Sequence, residues 1–375
     1  MKHQELSLFL QPKTLKSQAV RGGEITRKFA MNKVGRMLAA GMQDRSIRLY
    51  DARTCEEVQR MQDDYLCTSL AFSPRGDIVA SGGVDRLVKL WDIRAGECIA
   101  KLEGHTYPIL SLDFSSDGDR LVSASGDTTL AIWDVDNKIQ LHQMKGHALY
   151  VVSCAWEPNG DRVVSGGVDA VTNLWNAQTG KLVKSYEEHR TSVNDVKFNP
   201  DGSCLATASS DSIIILWNTE GYGIKAERKL HGHTDDVRCI AFSTNSKYLA
   251  SGSTDKDLFI WALEDGSIHG ESSTLAEIDG IEWYPEENAF LTIDGTGSII
   301  RWEVKDLSTL LSPFQELLDE IKADAELTRK SEHIQKFETL QQQYDEEVLR
   351  DKHLFYIIWQ CKKELGLLKG TVRKT

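Results

Sequence analysis

The chain holds ten histidines and seven cysteines, the side chains best suited to acid–base, nucleophilic or metal chemistry. The cysteines, at 55, 67, 98, 154, 204, 239 and 361, are scattered singly with no Cys-x-x-Cys pair. Such an odd, dispersed set argues against a structural zinc site and against a disulfide framework. Most stand among apolar, strand-like residues, as small buried hydrophobes do. His3, His142, His231, His269, His333 and His353 make no metal-like spacing with one another or with cysteine. No nucleophile stands beside a base in a recognisable motif. The glycine-rich Ser81-Gly82-Gly83 lies between strand-like runs rather than ahead of a helix, so it is not a phosphate loop. These residues predict no metal, no cofactor and no catalysis.

The other four histidines obey a register. His105, His147, His189 and His233 each lie 28 residues before a tryptophan: Trp133, Trp175, Trp217 and Trp261. Aromatic residues close a β-rich segment at those positions and at Tyr50, Trp91 and Trp302, in steps of 41, 42, 42, 42, 44 and 41 residues. Six residues before the first six of these aromatics stands an aspartate: Asp44, Asp85, Asp127, Asp169, Asp211 and Asp255. Three locked registers define an internal repeat, and a repeat of this length points to a propeller or solenoid. One unit reads as four strands: Ile109 to Phe114, Arg120 to Ala124, Leu130 to Trp133 and Asn137 to Met144. The turns Ser116-Asp117-Gly118 and Gly126-Asp127 separate them. Short strands broken every 8–12 residues, four to a unit, match a propeller blade.

These residues resemble the WD-repeat family, whose units open on Gly-His and close on Trp-Asp. Here Gly104-His105, Gly146-His147 and Gly232-His233 open units. Trp91-Asp92 and Trp133-Asp134 close them, with Asn176 and Asn218 in place of aspartate elsewhere. The resemblance covers residues 14–306 and implies an all-β, seven-bladed propeller. It also implies a His–Ser/Thr–Asp–Trp hydrogen-bonded chain in each blade. The matching residues are His105, Ser125, Asp127 and Trp133; His189, Ser209, Asp211 and Trp217; and His233, Ser253, Asp255 and Trp261. Gly167 stands at the serine position of blade four, blades one, two and seven lack the histidine, and Thr296 replaces the aspartate of blade seven. Blade seven ends its third strand at Trp302, so its fourth is expected from the N-terminus, at about residues 14–20, which removes two open edges.

Such a propeller is a protein-interaction scaffold, and the family's partner contacts fall at fixed places in each blade. Carried over, they are Leu66, Thr68 and Val84; Pro108, Leu110 and Gly126; Tyr150, Val152 and Val168; and Ser192, Asn194 and Ser210. Blades six and seven supply Asp236, Arg238, Thr254, Glu277, Asp279 and Gly295, and blade one Ile25, Arg27 and Gln43. The set is lopsided: apolar in blades two to four and largely acidic in six and seven. A second pattern, Tyr50-Asp51-Ala52-Arg53 and Trp91-Asp92-Ile93-Arg94, is similar to one in substrate receptors of cullin-RING ubiquitin ligases. It makes Arg53 and Arg94 candidate adaptor contacts.

From Ser312 the period changes. Ser312-Pro313 reads as a helix N-cap with proline at the first position. Ile334, Phe337, Tyr344, Val348, Phe355, Ile358 and Leu365 then keep a three–four spacing, interrupted by Gln341, Asp351 and Lys362. Residues 312–368 are thus expected to form an amphipathic helical tail, as one helix, a hairpin or a coiled coil, that packs on a partner or on itself. Residues 313–347 carry ten acidic against four basic side chains, and 348–375 two against seven. The whole chain carries a net −12, which argues against general nucleic-acid binding. No apolar run approaches the roughly 18–20 residues of a membrane span. The run Leu6 to Leu10 within the segment 1–13 is too short for a leader core. An intracellular protein, cytoplasmic or nuclear, is the expectation.

Overall fold

Blade three shows how the repeat becomes structure. Its strands Ile109–Phe114, Arg120–Ser125, Thr129–Asp134 and Ile139–Lys145 form one antiparallel sheet in sequence order. Ile109 lies opposite Ser125 at one rim and Arg120 opposite Asp134 at the other. The middle strands read as nearly continuous apolar runs because both their faces are covered, and Leu121, Val122, Leu130 and Ile132 are fully buried. The fourth strand is open to solvent along most of its length, with Met144 buried. The turn at Ser115–Asp119 is fixed by Gly118 at φ +77° and by Asp119 N–H donating to Asp117 Oδ1 at 3.0 Å.

The computed structural model describes residues 8–14, 25–32, 37–54, 56–158, 160–221, 223–285, 288–323, 330–342, 357–358, 360–362 and 365. They form seven four-stranded sheets, whose first strands open at Ile25, Cys67, Ile109, Val151, Val193, Val237 and Ile278. The protein is a seven-bladed β-propeller. The chain divides into two compact units, residues 12–302 and residues 1–11 with 303–375.

Neighbouring blades are held by shape and by hydrogen bonds. A Cβ on Gly82 would come within 2.4 Å of Ile109 Cγ2, and Gly166 and Gly252 meet Val193 and Ile278 in the same way. Glycine in these second strands is a packing requirement of the next blade's β-branched residue. The inner edge of each first strand has no ladder partner, so its N–H groups need other acceptors. Cys154 N–H donates to Ser111 Oγ (3.2 Å), Trp156 N–H to Asp113 Oδ2 (2.7 Å), Val196 N–H to Ser153 Oγ (3.2 Å) and Ile240 N–H to Asp195 Oδ2 (3.0 Å). Blade seven meets blade one where Tyr284 donates its hydroxyl hydrogen to Ala52 O at 2.7 Å.

The seventh sheet has the strand order Leu8–Thr14, Ile299–Asp306, Ala289–Asp294, Ile278–Trp283. Its outer strand does come from the N-terminal end of the sequence, but earlier than the expected residues 14–20. Of those only Thr14 is in the strand, and 15–20 lie outside the described residues. The other connections from an outer strand to the next inner one are short, from 63–66 to 187–192, and that spacing misplaces the first. Here residues 15–24 separate the two strands. Of the expected N-terminal segment 1–13, residues 8–13 belong to this strand, and 1–7 lie outside the described residues.

The C-terminal residues form α1 (Leu307–Ala323) and α2 (Lys330–Gln342). The helix therefore does not begin at Ser312; Pro313 lies inside α1, where it has no N–H for the helical ladder. Phe314, Leu317, Leu318 and Ile321 of α1 bury against Phe337, Ile358, Cys361 and Leu365, with Ile334 packed beside them. Phe314 and Phe337 meet edge to face at 6.2 Å, and Lys336 pairs with Glu320 at 2.7 Å. The tail thus has a small core of its own. Helices of 17 and 13 residues fall short of a sustained heptad seam. Tyr344, Val348 and Phe355 of the expected seam lie outside the described residues. Among the described residues no helix is long and apolar enough to cross a membrane. The six described cysteines are free.

Candidate protein-binding face

The histidine–aspartate register builds hydrogen-bonded chains beneath one rim. In blade three, His105 Nδ1 lies 2.8 Å from Asp127 Oδ2 and Nε2 lies 2.8 Å from Ser123 Oγ. Trp133 Nε1–H donates to the same Ser123 oxygen at 2.8 Å. Burial holds His105 below its usual pKa, against the pull of Asp127, so the imidazole is neutral. Burial alone would raise the Asp127 pKa. Hydrogen bonds from the Thr129 hydroxyl, Thr106 N–H and His105 outweigh it, and the carboxylate stays ionised. An ionised acceptor places the imidazole proton on Nδ1, leaves Nε2 to accept from Ser123, and leaves Ser123 to accept from Trp133.

The serine in this chain is not the expected one. Ser123 occupies it in blade three, Thr207 in blade five and Ser251 in blade six. Ser125, Ser209 and Ser253 lie two residues further on, where each accepts or donates at the rim turn. Ser125 Oγ takes Asp127 N–H at 3.1 Å and donates to Tyr107 O at 3.0 Å. Ser209 and Ser253 take the Asp211 and Asp255 N–H in the same way. Both residues of each pair point to one face of the strand, so alternation does not separate them. With the register moved, blade four is complete too. His147 Nε2 lies 2.7 Å from Ser165 Oγ, Trp175 donates to Ser165 at 2.8 Å, and Asp169 Oδ2 lies 3.0 Å from His147 Nδ1.

Blade two solves the same problem with another cation. Asp63 stands at its histidine position, and Lys89, two residues before Trp91, reaches both Asp63 and Asp85, the latter at 2.6 Å. The Lys89 side chain is only 3% exposed, and burial alone would lower its pKa. The hydrogen bonds that Lys89 donates to the two aspartates win, and the ammonium stays charged. Blade one uses Arg48, at the equivalent distance from Tyr50, against Asp44 at 2.5 Å. Blade seven keeps Trp302 Nε1–H donating to Thr292 at 2.8 Å, while Thr296 donates to Asp294 instead of carrying a charge.

The expected contacts that flank the first strand residues do not all reach one place. Leu66, Pro108, Tyr150, Asp236 and Glu277 lie at the rim where the inner strands begin. Leu110, Val152, Arg238 and Asp279 instead line a cavity of about 120 Å³ among the inner strands, with Asn194, Lys197 and Glu282. Thr68 is committed to the ring, because its hydroxyl bonds Gly82 O and Ile109 O across two blades. Arg238 pairs with Glu277 at 3.3 Å and Asp279 at 3.2 Å, so part of the acidic arc is neutralised. Of the blade-one residues, Gln43 is exposed, and the side chains of Ile25 and Arg27 lie outside the description.

At the rim, blades two to four expose a set of large apolar side chains. Leu66, Val84, Tyr150 and Val168 are 39%, 42%, 50% and 41% exposed. Sequence reasoning missed their neighbours Tyr65, Tyr107 and Leu149, which are as open at 52%, 53% and 49%. Each immediately precedes a residue that was carried over, so the signal was there: a second large apolar side chain between loop and strand. Tyr107 and Tyr150 come from adjacent blades, and their rings lie 6.4 Å apart at 41°. Arg53 and Arg94 are exposed at the opposite rim, after third strands that end at Asp51 and Asp92. The backbone N–H of each donates to that aspartate at 2.8 Å.

Among the described residues no cluster of histidine, cysteine and carboxylate side chains could hold a metal ion. Compared with known proteins, the chain matches the family model described as WD domain, G-beta repeat, at residues 55–92, 96–134, 138–176, 180–218 and 224–262. No curated protein matches it. Propellers of this family are generally non-catalytic and act as protein-interaction scaffolds. The five matched repeats fall on blades two to six and span just over half of the sequence, and the chain belongs to the WD-repeat family.

Proposed function

We propose that this protein is a scaffold that takes a protein segment on the apolar rim of blades two to four. The observation that carries this reading is the exposure of Tyr65, Leu66, Tyr107, Leu149 and Tyr150 on one rim, with the Tyr107 and Tyr150 rings 6.4 Å apart across two blades. A contiguous apolar patch of this kind marks an interaction site. The side chains stand at the edges of a hydrogen-bonded ring, so contacts there lose little conformational entropy on binding. Tyrosine offers a broad ring and a hydroxyl with few rotatable bonds, as interface hot spots do. The test is affinity capture with the full chain and with Tyr107→Ala/Tyr150→Ala, beside the melting temperature of each. Loss of the captured partner with an unchanged melting temperature supports the reading. Equal capture by both forms, or a melting temperature lowered in step with capture, removes the rim as the docking face.

A second reading rests on Arg53 and Arg94. Both are exposed, on adjacent blades at the far rim, so an adaptor of a cullin-RING ligase seated there would leave the apolar rim free for a substrate. Arg53→Ala with Arg94→Ala should abolish adaptor co-purification without changing stability. Failure of the unmutated protein to bind an adaptor disposes of the idea.

A further inference from the structure

The charges at the apolar rim are unbalanced in a consistent direction. Five of the six loops that lead into blades two to seven carry acidic residues, among them Asp64, Glu103, Glu187, Asp235 and Asp236, whereas Arg190 is their one basic residue besides histidine. The turns between second and third strands on the same rim add the cations Arg45, Arg86 and Lys256, each beside a turn aspartate. The buried groups beneath add to the excess instead of cancelling it. In blades three to six, neutral His105, His147, His189 and His233 face Asp127, Asp169, Asp211 and Asp255. Lys89 in blade two is outnumbered by the buried Asp63 and Asp85. Each of these blades leaves a negative charge close under the surface that the apolar residues occupy. Charges set in low-dielectric walls are screened less than exposed ones and project their field into the space above. The two tyrosines suit the same sign of ligand, since the negative face of an aromatic ring attracts ammonium and guanidinium groups. Lys89 already shows the contact from below, with its ammonium 5.7 Å from the Tyr65 ring.

We propose that the segment taken by this rim is a basic, apolar peptide, whose hydrophobic side chains seat by Tyr107 and Tyr150 while its lysines or arginines meet the surrounding carboxylates. This deepens the docking reading above and rests on it. The probe is a library of short random peptides displayed on phage and selected against the full-length protein, with Tyr107→Ala/Tyr150→Ala as the counter-target. The selected sequences should be enriched in lysine or arginine together with aromatic or aliphatic residues. A synthetic peptide from that set should bind about tenfold more weakly when its basic residues become glutamine, and its affinity should fall as salt rises. Asp235→Asn/Asp236→Asn should weaken the same peptide while leaving the melting temperature unchanged. Selected peptides that are neutral or acidic yet still need the tyrosines overturn the charge assignment and leave the docking face standing. Peptides that ignore the tyrosine variant, or no enrichment over it, overturn both.

Discussion

Blades three to six and blades one and two reach one arrangement by two routes. In the first group a neutral histidine from the loop before the blade links the turn aspartate to a buried serine or threonine and to tryptophan. In the second, Arg48 or Lys89 from the third strand meets that aspartate as a permanent cation. In blade two Asp63 stands at the histidine position, and Ser81 still accepts from Trp91 Nε1–H at 2.8 Å. What the blade requires, then, is a partner for the turn aspartate and an acceptor for the tryptophan, not a histidine as such. An unmet buried polar group costs about 1–3 kcal/mol, and an unmet buried charge more.

The comparison breaks most readily at Lys89. Lys89→Met leaves Asp63 and Asp85 without their counter-charge, and stability should drop by roughly 3–5 kcal/mol, read as a lower urea midpoint. Lys89→Leu should lose as much, and adding Asp63→His to it rebuilds the histidine version and should recover much of that loss; no recovery would mean the two routes are not interchangeable. Next in size, Asp211→Ala should cost about 1–3 kcal/mol, because His189 and Arg190 N–H lose their acceptor. Asp44→Ala removes a carboxylate that is 47% exposed and should cost about 1 kcal/mol or less. Equal midpoints for these two would show that the histidine chain adds nothing. Ser123→Ala should be worse than Ser125→Ala by about 1 kcal/mol, since Ser123 serves both His105 and Trp133 in the core while Ser125 serves the rim turn. The reverse order in thermal melts would restore Ser125 to the chain.

The smallest effect per group is with pH. The four histidines have folded pKa values below the usual 6.5, chiefly through burial, with the aspartates opposing in part. The unfolded chain therefore takes up protons that the folded chain refuses. Their contribution is full above pH 6.5 and is lost progressively as pH falls below it. Lys89 stays charged throughout and adds no slope there. The urea midpoint should decline between pH 7 and about 5.5, and Asp63→His/Lys89→Leu should steepen that decline. A flat profile would mean the histidines accept protons while folded.

Much of this architecture was legible because a repeat states its constraints several times over. The spacing of aspartate and aromatic residues predicted seven units, and alternating short strands broken by Asp-Gly turns predicted their sheets. The true serine position was legible as well: a hydroxyl recurs ten residues before the aromatic at Ser81, Ser123, Ser165, Thr207, Ser251 and Thr292, more often than two residues later. The buried lysine was harder to see. Lys89 reads in isolation as an ordinary solvent-facing strand residue, and only its meeting with Asp63, 26 residues away, explains it.

By itself, then, the sequence determined the blade number, the strand pattern and the family. Those depend on local periodicity and turn chemistry, which every repeat restates. Tertiary structure alone decided where the ring takes its last strand, how Lys89 is paired, and which of the expected contact residues reach solvent. Leu66 and Leu110 were both carried over as contacts, yet Leu66, one residue before its strand, stands at the rim, and Leu110, one residue inside its strand, lines the cavity. That the second position faces a cavity rather than solvent follows from the inner strands of all the blades closing around it, which no single segment encodes.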